Sequence, residues 1–128
     1  MISKHIYYLI MIFTFLSCSI SRELNGIYID HKRNLHGDLI LINEKEGEVH
    51  SWTNDLWIDN RKFKVMEIGD TVILNYIRYN IDSDVLIKRK EGLEKIKENH
   101  NNQRFKKVSQ KQAKKLVPKF IYKEIFDK

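Results

Sequence analysis

Hydrophobic and polar residues alternate in short runs through the middle of the chain. Runs rich in Ile, Val, Tyr and Phe are separated by Gly, Asn and Asp, a pattern typical of β-strands joined by hairpins. The pattern predicts strands at 25–31, 37–43, 48–53, 56–58, 62–68, 71–81 and 85–90. No helix-length segment separates these strands, so we expect a mainly β fold: an antiparallel meander, a partial barrel or a sandwich.

Two of these strands carry apolar residues without alternation, at 39–42 (L-I-L-I) and 72–74 (V-I-L). Continuous apolar runs indicate strands that are covered on both faces. The C-terminal segment is the natural cover for the second face. A turn at Asp59–Asn60 is expected to interrupt the chain between two shorter strands, because Asp and Asn favour turns.

The C-terminal segment, about 109–126, has a helical pattern. Ser109 with Gln112 three residues later is a capping-box signature. Pro118 does not fit a helix interior, so the segment predicts two short helices that close the sheet. One apolar stripe at helical spacing comprises Ala113, Leu116, Val117, Phe120, Ile121 and Ile125. Before it, 91–102 fits a helical turn and a polar loop, and 104–108 fits a final edge strand.

The positive charge is concentrated at the C-terminal side. The chain has 23 basic and 17 acidic residues, of which 103–128 holds 9 basic and 2 acidic. The basic outer face of the predicted helices comprises Lys111, Lys114, Lys115, Lys119 and Lys123. These lysines either solvate a docked helix or contact an anionic partner, such as lipid headgroups or cell-wall polymers. We expect no nucleic-acid partner, because an exported protein rarely meets one.

The first residues resemble a secretory signal. Lys4 and His5 precede an apolar run of 11 residues, Ile6 to Leu16, and small residues follow. The run is too short to span a bilayer, which needs about 20 apolar residues. The sequence therefore predicts export, with 1–17 as the signal peptide.

The segment Phe15-Leu16-Ser17-Cys18 resembles the lipobox of bacterial lipoproteins. The resemblance implies cleavage before Cys18, acylation of that cysteine (palmitate among its lipids), and a cell-envelope protein anchored at the outer membrane or the outer face of the cell membrane. Residues 18–24 would then form a linker and 25–128 one domain. Cleavage after Ser19 or Ser21 would instead release a soluble secreted or periplasmic protein, and an uncleaved anchor is a third alternative.

Candidate catalytic residues do not form a recognisable motif. His31, His36 and His50 lie in or beside early strands, but their spacing matches no metal-binding pattern, and we expect surface histidines. Ser51 follows His50 directly, so the two side chains are expected on opposite faces of a strand. We therefore predict no enzyme activity, no metal and no cofactor.

Two further features bear on binding. Trp52 and Trp57 flank a predicted turn, where they could form an aromatic platform for a ligand or stabilise the hairpin and core. Leu24-x-Gly26-x-Tyr28, followed by a meander, resembles the first strand of small lipocalin-like lipoproteins, which implies an apolar cavity, although the short length favours a filled core.

Together these observations lead to one functional expectation and two alternatives. We expect a non-enzymatic binding or scaffolding role at the cell envelope, with a membrane contact through Cys18 and an envelope protein or anionic surface as partner. An inhibitor or immunity protein that blocks another protein is one alternative. A lipocalin-like carrier of a small apolar ligand is the other.

Overall fold

A computed structural model describes residues 23–32, 36–54, 56–78, 80–97 and 101–127. Its strands are β1 (Gly26–Lys32), β2 (His36–Asn43), β3 (Glu46–Thr53), β4 (Leu56–Ile68), β5 (Thr71–Tyr76), β6 (Asp84–Arg89), β7 (Gly92–Lys95) and β8 (Gln103–Val108). Its helices are α1 (Gln110–Leu116) and α2 (Lys119–Phe126). The expectation of a mainly β fold closed by short C-terminal helices is confirmed.

The eight strands form one closed antiparallel barrel in sequence order. Each strand pairs with the next, and β8 pairs with β1 to close the sheet, with Val108 opposite Ile27. Strand β8 was expected at an edge, and that expectation is wrong. Closure gives it partners on both sides, β7 and β1.

Alternating residues of the strands fill the barrel interior. Phe63, Val72 and Leu86 are completely buried, and aromatic rings of β1 and β8 pack beside them. The interior cluster comprises Leu24, Tyr28, Ile40, Ile42, Val49, Phe63, Val65, Val72, Leu74, Leu86, Leu93 and Phe105. Large side chains therefore occupy the middle of the barrel, in agreement with the filled core expected from the short chain.

The two helices cover the outside of β1, β2 and β3. Ala113, Val117 and Ile121 pack there in a second cluster with Leu39 and Trp52. The capping box is present: the Ser109 hydroxyl accepts from the Gln112 backbone, and the Gln112 side chain accepts from the Ser109 backbone. The run 39–42 is thus enclosed by the barrel core on one face and by the helices on the other.

Two details of the predicted helical stripe are wrong. Leu116 and Phe120 are 37% and 60% exposed, whereas Tyr122 is buried. Helix α1 ends before Pro118 and α2 begins after it, so the two helices do not share one helical periodicity. Tyr122 takes the inward position that the continuous pattern assigned to Phe120.

Four further predictions about the strands need correction. The expected turn at Asp59–Asn60 lies inside β4, which is the longest strand at 13 residues, while β5 ends at Tyr76 and not at residue 81. The segment expected to form a helical turn contains strand β7. Ile73 lies on the outer wall away from the helices and is only partly buried, so the 72–74 run is not covered on both faces.

Several sequence predictions fall outside the described residues. These are the signal peptide 1–17, Cys18 and most of the 18–24 linker. The linker was expected to extend to Leu24, but this residue belongs to the core, where its carbonyl accepts a hydrogen bond from the Tyr28 hydroxyl over 2.6 Å. The folded domain therefore includes Leu24.

Candidate functional site

The barrel has two different ends. We call the end where the chain enters β1 at Gly26 the entry end; it also carries the β2–β3, β4–β5 and β6–β7 turns. We call the opposite end, where His36 pairs with Thr53, the far end. The entry end has a groove and the far end has a network of polar side chains inside the barrel.

The groove at the entry end has a volume of about 550 Å³. Three separate segments form it: 23–28, 88–93 and 106–107. Its apolar lining consists of Leu24, Tyr28 and Leu93, and its charged lining of Glu23, Lys88, Arg89, Lys90, Glu91, Lys106 and Lys107. A cavity of this size with apolar and cationic walls is typical of sites for small ligands.

Gly92 lets the β6–β7 turn approach β8 closely enough to form one wall of the groove. A Cβ atom at Gly92 would lie 1.9 Å from the backbone oxygen of Phe105, far inside van der Waals contact. The Lys107 amide donates to the Glu91 carbonyl over 2.9 Å, which fixes the turn against the strand. The wall is therefore held by backbone contacts rather than by its exposed side chains.

Lys107 connects β8 to the residues that precede β1. Its Nζ donates to the Glu23 carbonyl over 2.9 Å and lies 5.8 Å from the centre of the Tyr28 ring. Its side chain crosses Gly26, where an added Cβ would lie 2.7 Å from the lysine Cε. Burial, with smaller contributions from the charges of Glu67 and Glu23, raises the pKa of Tyr28 to about 12.

The cations of the groove are only partly neutralised. Lys88 pairs with Glu67 at 2.6 Å, and Arg89 pairs with the buried Glu94 at 3.6 Å. Among the described residues, none of the ion pairs involves the other three cations of the lining, Lys90, Lys106 and Lys107. The groove is thus suited to an anionic group.

A second, smaller groove of about 380 Å³ shares the β6–β7 turn and Lys106 with the first. It also includes Glu94, which forms ion pairs with cations on both neighbouring strands, Arg89 at 3.6 Å and Arg104 at 4.0 Å. The β6–β7 turn thus lines both grooves. Sequence reasoning assigned no role to this turn.

Inside the far end, Asp38 organises one part of the polar network. Its carboxylate accepts from the Ser51 hydroxyl at 2.5 Å and from the Gln103 amide at 2.6 Å. The Nε2 atom of His36 lies 4.0 Å away, and its Nδ1 atom shares a 2.8 Å hydrogen bond with Thr53. Ser51 therefore donates to a carboxylate, which fixes β3 to β2 on the inner side of the barrel.

Tyr76 organises the other part of this network. Its hydroxyl donates to Asp84, which also pairs with Lys95 at 3.2 Å, and the Arg61 guanidinium lies 4.5 Å from the centre of the Tyr76 ring. Arg61 in turn pairs with Asp59 at 2.8 Å. Burial first, and then the hydrogen bond to Asp84, raise the pKa of Tyr76. Each acid of this group is matched by a donor, an arrangement that fixes strands together.

The predicted site residues lie elsewhere on the molecule. All five helix lysines, Lys111, Lys114, Lys115, Lys119 and Lys123, are exposed, as expected for the outer face. Trp52 and Trp57 are cross-strand neighbours. Trp52 is 1% exposed and packs over Gly37, so the structure favours the core interpretation, and these two rings do not form an open platform.

The histidines are separated by the barrel wall. His36 lies at the rim of the far end, whereas His50 lies on the outer face of β3, next to Trp57, and shares a 2.9 Å hydrogen bond with Glu48. The expectation of a surface histidine is wrong for His50, which is 1% exposed. The side chain of His31 lies outside the described residues. In the described part, no three His, Cys, Asp or Glu side chains are grouped to hold a metal ion.

An apolar stripe crosses the outer wall that the helices leave uncovered. Met66 lies opposite Ile73, Ile73 lies opposite Val85, and the amide of Ile96 donates to the Val85 carbonyl. Met66, Val85 and Ile96 are 50%, 42% and 42% exposed. Contiguous exposed apolar surface is characteristic of contact with other molecules.

Comparison with known proteins identifies no relative: no family model, curated protein or solved structure matches the chain significantly. Within the described ranges, neither helix has the length and apolar character needed to cross a membrane.

Proposed function

We propose that the protein is an exported, lipid-anchored protein of the cell envelope with a non-enzymatic role, which binds an anionic group in the groove at the entry end of its barrel. The anchor would be an acyl-modified Cys18, from the lipobox-like F-L-S-C segment. The basic lining of the groove supports a role in binding.

One observation carries this proposal: residues that follow the candidate anchor closely in the sequence line the basic groove. Glu23 and Leu24 line the groove, and Cys18 precedes Glu23 by five residues. Five residues span at most about 18 Å even when fully extended. A lipid on Cys18 would therefore keep the groove, with its cations, close to the membrane surface.

The exposed lysines of the helices also bear on attachment to a membrane. They add exposed positive charge to the groove cations, and basic residues beside an anionic membrane contribute about 1 kcal/mol each. A basic surface would add to the attachment that the lipid on Cys18 provides.

The test is the intact mass of the protein purified from its native membrane, with a Cys18→Ala variant as the control. The proposal requires a chain that starts at Cys18 and carries added acyl mass, and this mass must be absent from the variant. An unmodified chain that starts at Ile20 or Arg22 and is soluble in both forms would exclude the anchor.

A second candidate function is inhibition of another protein through the apolar stripe of Met66, Ile73, Val85 and Ile96. Its support is the exposure of three of these side chains on a wall that the two helices do not cover. A one-to-one complex that is lost in a Met66→Lys/Val85→Lys variant, but kept in a Lys114→Met/Lys115→Met variant, would favour this function. A complex that survives the stripe variant would argue against it.

A further inference from the structure

The groove combines two kinds of lining that are chemically distinct. Lys90, Lys106 and Lys107 present ammonium groups, and among the described residues they take no part in the ion pairs. The remaining lining includes the Tyr28 ring and the side chains of Leu24 and Leu93. A ligand that uses the whole groove must therefore carry both an anionic group and a hydrocarbon part.

We propose that the groove binds a phosphate-bearing amphiphile, with the phosphate on Lys90, Lys106 and Lys107 and the hydrocarbon against Leu24, Tyr28 and Leu93. Lysine ammonium groups bind phosphate oxygens as mobile point charges, and three of them match the charge of a phosphate monoester better than that of a carboxylate. This inference rests on the proposed function, because it takes the groove as the binding site, but it does not require the lipid on Cys18.

The position of the cations supports a headgroup at the mouth and a chain toward the barrel. Lys90 and Lys106 are exposed, whereas Leu24, Tyr28 and Leu93 are at least 90% buried. The groove of about 550 Å³ can hold a headgroup and a short part of an acyl chain, since small-molecule sites occupy about 300–1,000 Å³. A membrane phospholipid and a free phosphorylated metabolite share this chemistry, and they differ in the hydrocarbon part.

Isothermal titration of the full chain in its Cys18→Ala form separates these sources. The probes are dihexanoyl phosphatidic acid below its micelle concentration, inorganic phosphate and hexyl glucoside. We expect the phosphatidic acid to bind at least about tenfold tighter than either other probe, because only it occupies both parts of the groove. If inorganic phosphate bound as tightly as the phosphatidic acid, the hydrocarbon would contribute nothing and the groove would be a simple anion site. If hexyl glucoside bound as tightly as the phosphatidic acid, the phosphate would contribute nothing. Either result overturns the inference.

Two charge-matched variants test the location. Lys90→Met/Lys106→Met/Lys107→Met and Lys114→Met/Lys115→Met/Lys119→Met each remove three positive charges. The groove variant should weaken binding of the phosphatidic acid by more than about tenfold, since hydrogen bonds to charged groups are the strong ones, and the helix variant by less than about threefold. Equal losses would show general charge attraction and would contradict a site in the groove.

Lys107 also holds the segment before β1, so the triple groove variant can lose stability as well as affinity. Lys90→Met/Lys106→Met leaves that contact intact and should still weaken binding by about tenfold. Full affinity in this double variant would overturn the assignment of the phosphate. Absence of acyl mass on Cys18 would exclude the anchor but would leave these titrations valid, so the two proposals fail separately.

Discussion

The side-chain amide of Gln103 donates a hydrogen bond to the Asp38 carboxylate over 2.6 Å, which joins β8 to β2 across the interior of the barrel. Strand β1 lies between these two strands, so the contact strengthens the closure of the barrel at its far end. Gln103 is buried, and its donor has little access to water. The contact therefore matters mainly for the stability of the closed barrel.

Replacing Asp38 by alanine should destabilise the barrel by about 2 kcal/mol, because the donors of Ser51 and Gln103 would lose their acceptor in a part-buried site. Urea unfolding followed by tryptophan fluorescence measures this change. Asp70→Ala, in the exposed β4–β5 turn, is the control and should change stability by less than about 0.5 kcal/mol. Equal effects of the two substitutions would show that the far-end network contributes nothing.

A second prediction concerns the wall of the groove. Gly92→Ala would place a Cβ 1.9 Å from the Phe105 backbone oxygen, so β7 and β8 must move apart, at a cost of about 1–3 kcal/mol. Gly69→Asn is the control, because the space around Gly69 is open and Asn tolerates its φ of 60°. Thermal unfolding compares the two variants. A Gly92→Ala protein as stable as Gly69→Asn would mean that the close approach is not needed.

The helix cover allows a comparison between adjacent residues. Ile121 is completely buried against the outside of the barrel, whereas Phe120 is 60% exposed. Ile121→Ala should therefore cost about 2–5 kcal/mol and Phe120→Ala less than about 0.5 kcal/mol in denaturant unfolding. A larger loss of stability in Phe120→Ala than in Ile121→Ala would place Phe120 on the inward stripe that the sequence pattern indicates. That result would contradict the helix break at Pro118.

Tyr28 makes stability depend on alkaline pH. Its pKa is raised from 10.0 to about 12 in the folded protein, so the folded state holds the phenol proton more tightly than the unfolded state. The resulting stabilisation is fully present below pH 10 and is lost as the pH rises from 10 to 12. Tyr28→Phe cannot ionise, so its stability should fall less over this interval.

The measurement for this prediction is a titration of tyrosinate absorbance combined with unfolding at several alkaline pH values. The folded protein should show ionisation of tyrosine above the ordinary range, and Tyr28→Phe should remove one of the late groups. Tyr76→Phe is the matched variant, since burial raises the pKa of that residue too. Ordinary titration of every tyrosine while the protein stays folded would contradict a closed core around Tyr28.

The sequence pattern predicted correctly those elements whose conformation is determined by their own residues. The capping box of Ser109 and Gln112 and the break at Pro118 are local signals, and both were read correctly. The continuous apolar run 39–42 also indicated correctly that β2 is covered on both faces. Strand β7 could not be read in this way, because its four residues, G-L-E-K, have weak strand character and owe their conformation to pairing with β6 and β8.

Pairing between strands also explains why the sequence pattern divided β4 into two strands and did not indicate the groove. Asp59 and Asn60 favour a turn in isolation, but here they lie opposite Ser51 and His50, and Asp59 pairs with Arg61. Pairing with the neighbouring strand overrides the local preference. The groove depends on segments that only barrel closure brings together, and clustered cations at 88–90 and 106–107 were its only local signal.

Pairing of β1 with β8 also determines when the molecule can complete its fold. Synthesis produces β1 first and β8 last among the strands, so one side of β1 stays unpaired until nearly the whole chain exists. An open strand edge can pair with other chains, and non-local pairing is slow to form. If the chain is exported as proposed, this order of synthesis postpones folding until β8 has crossed the membrane.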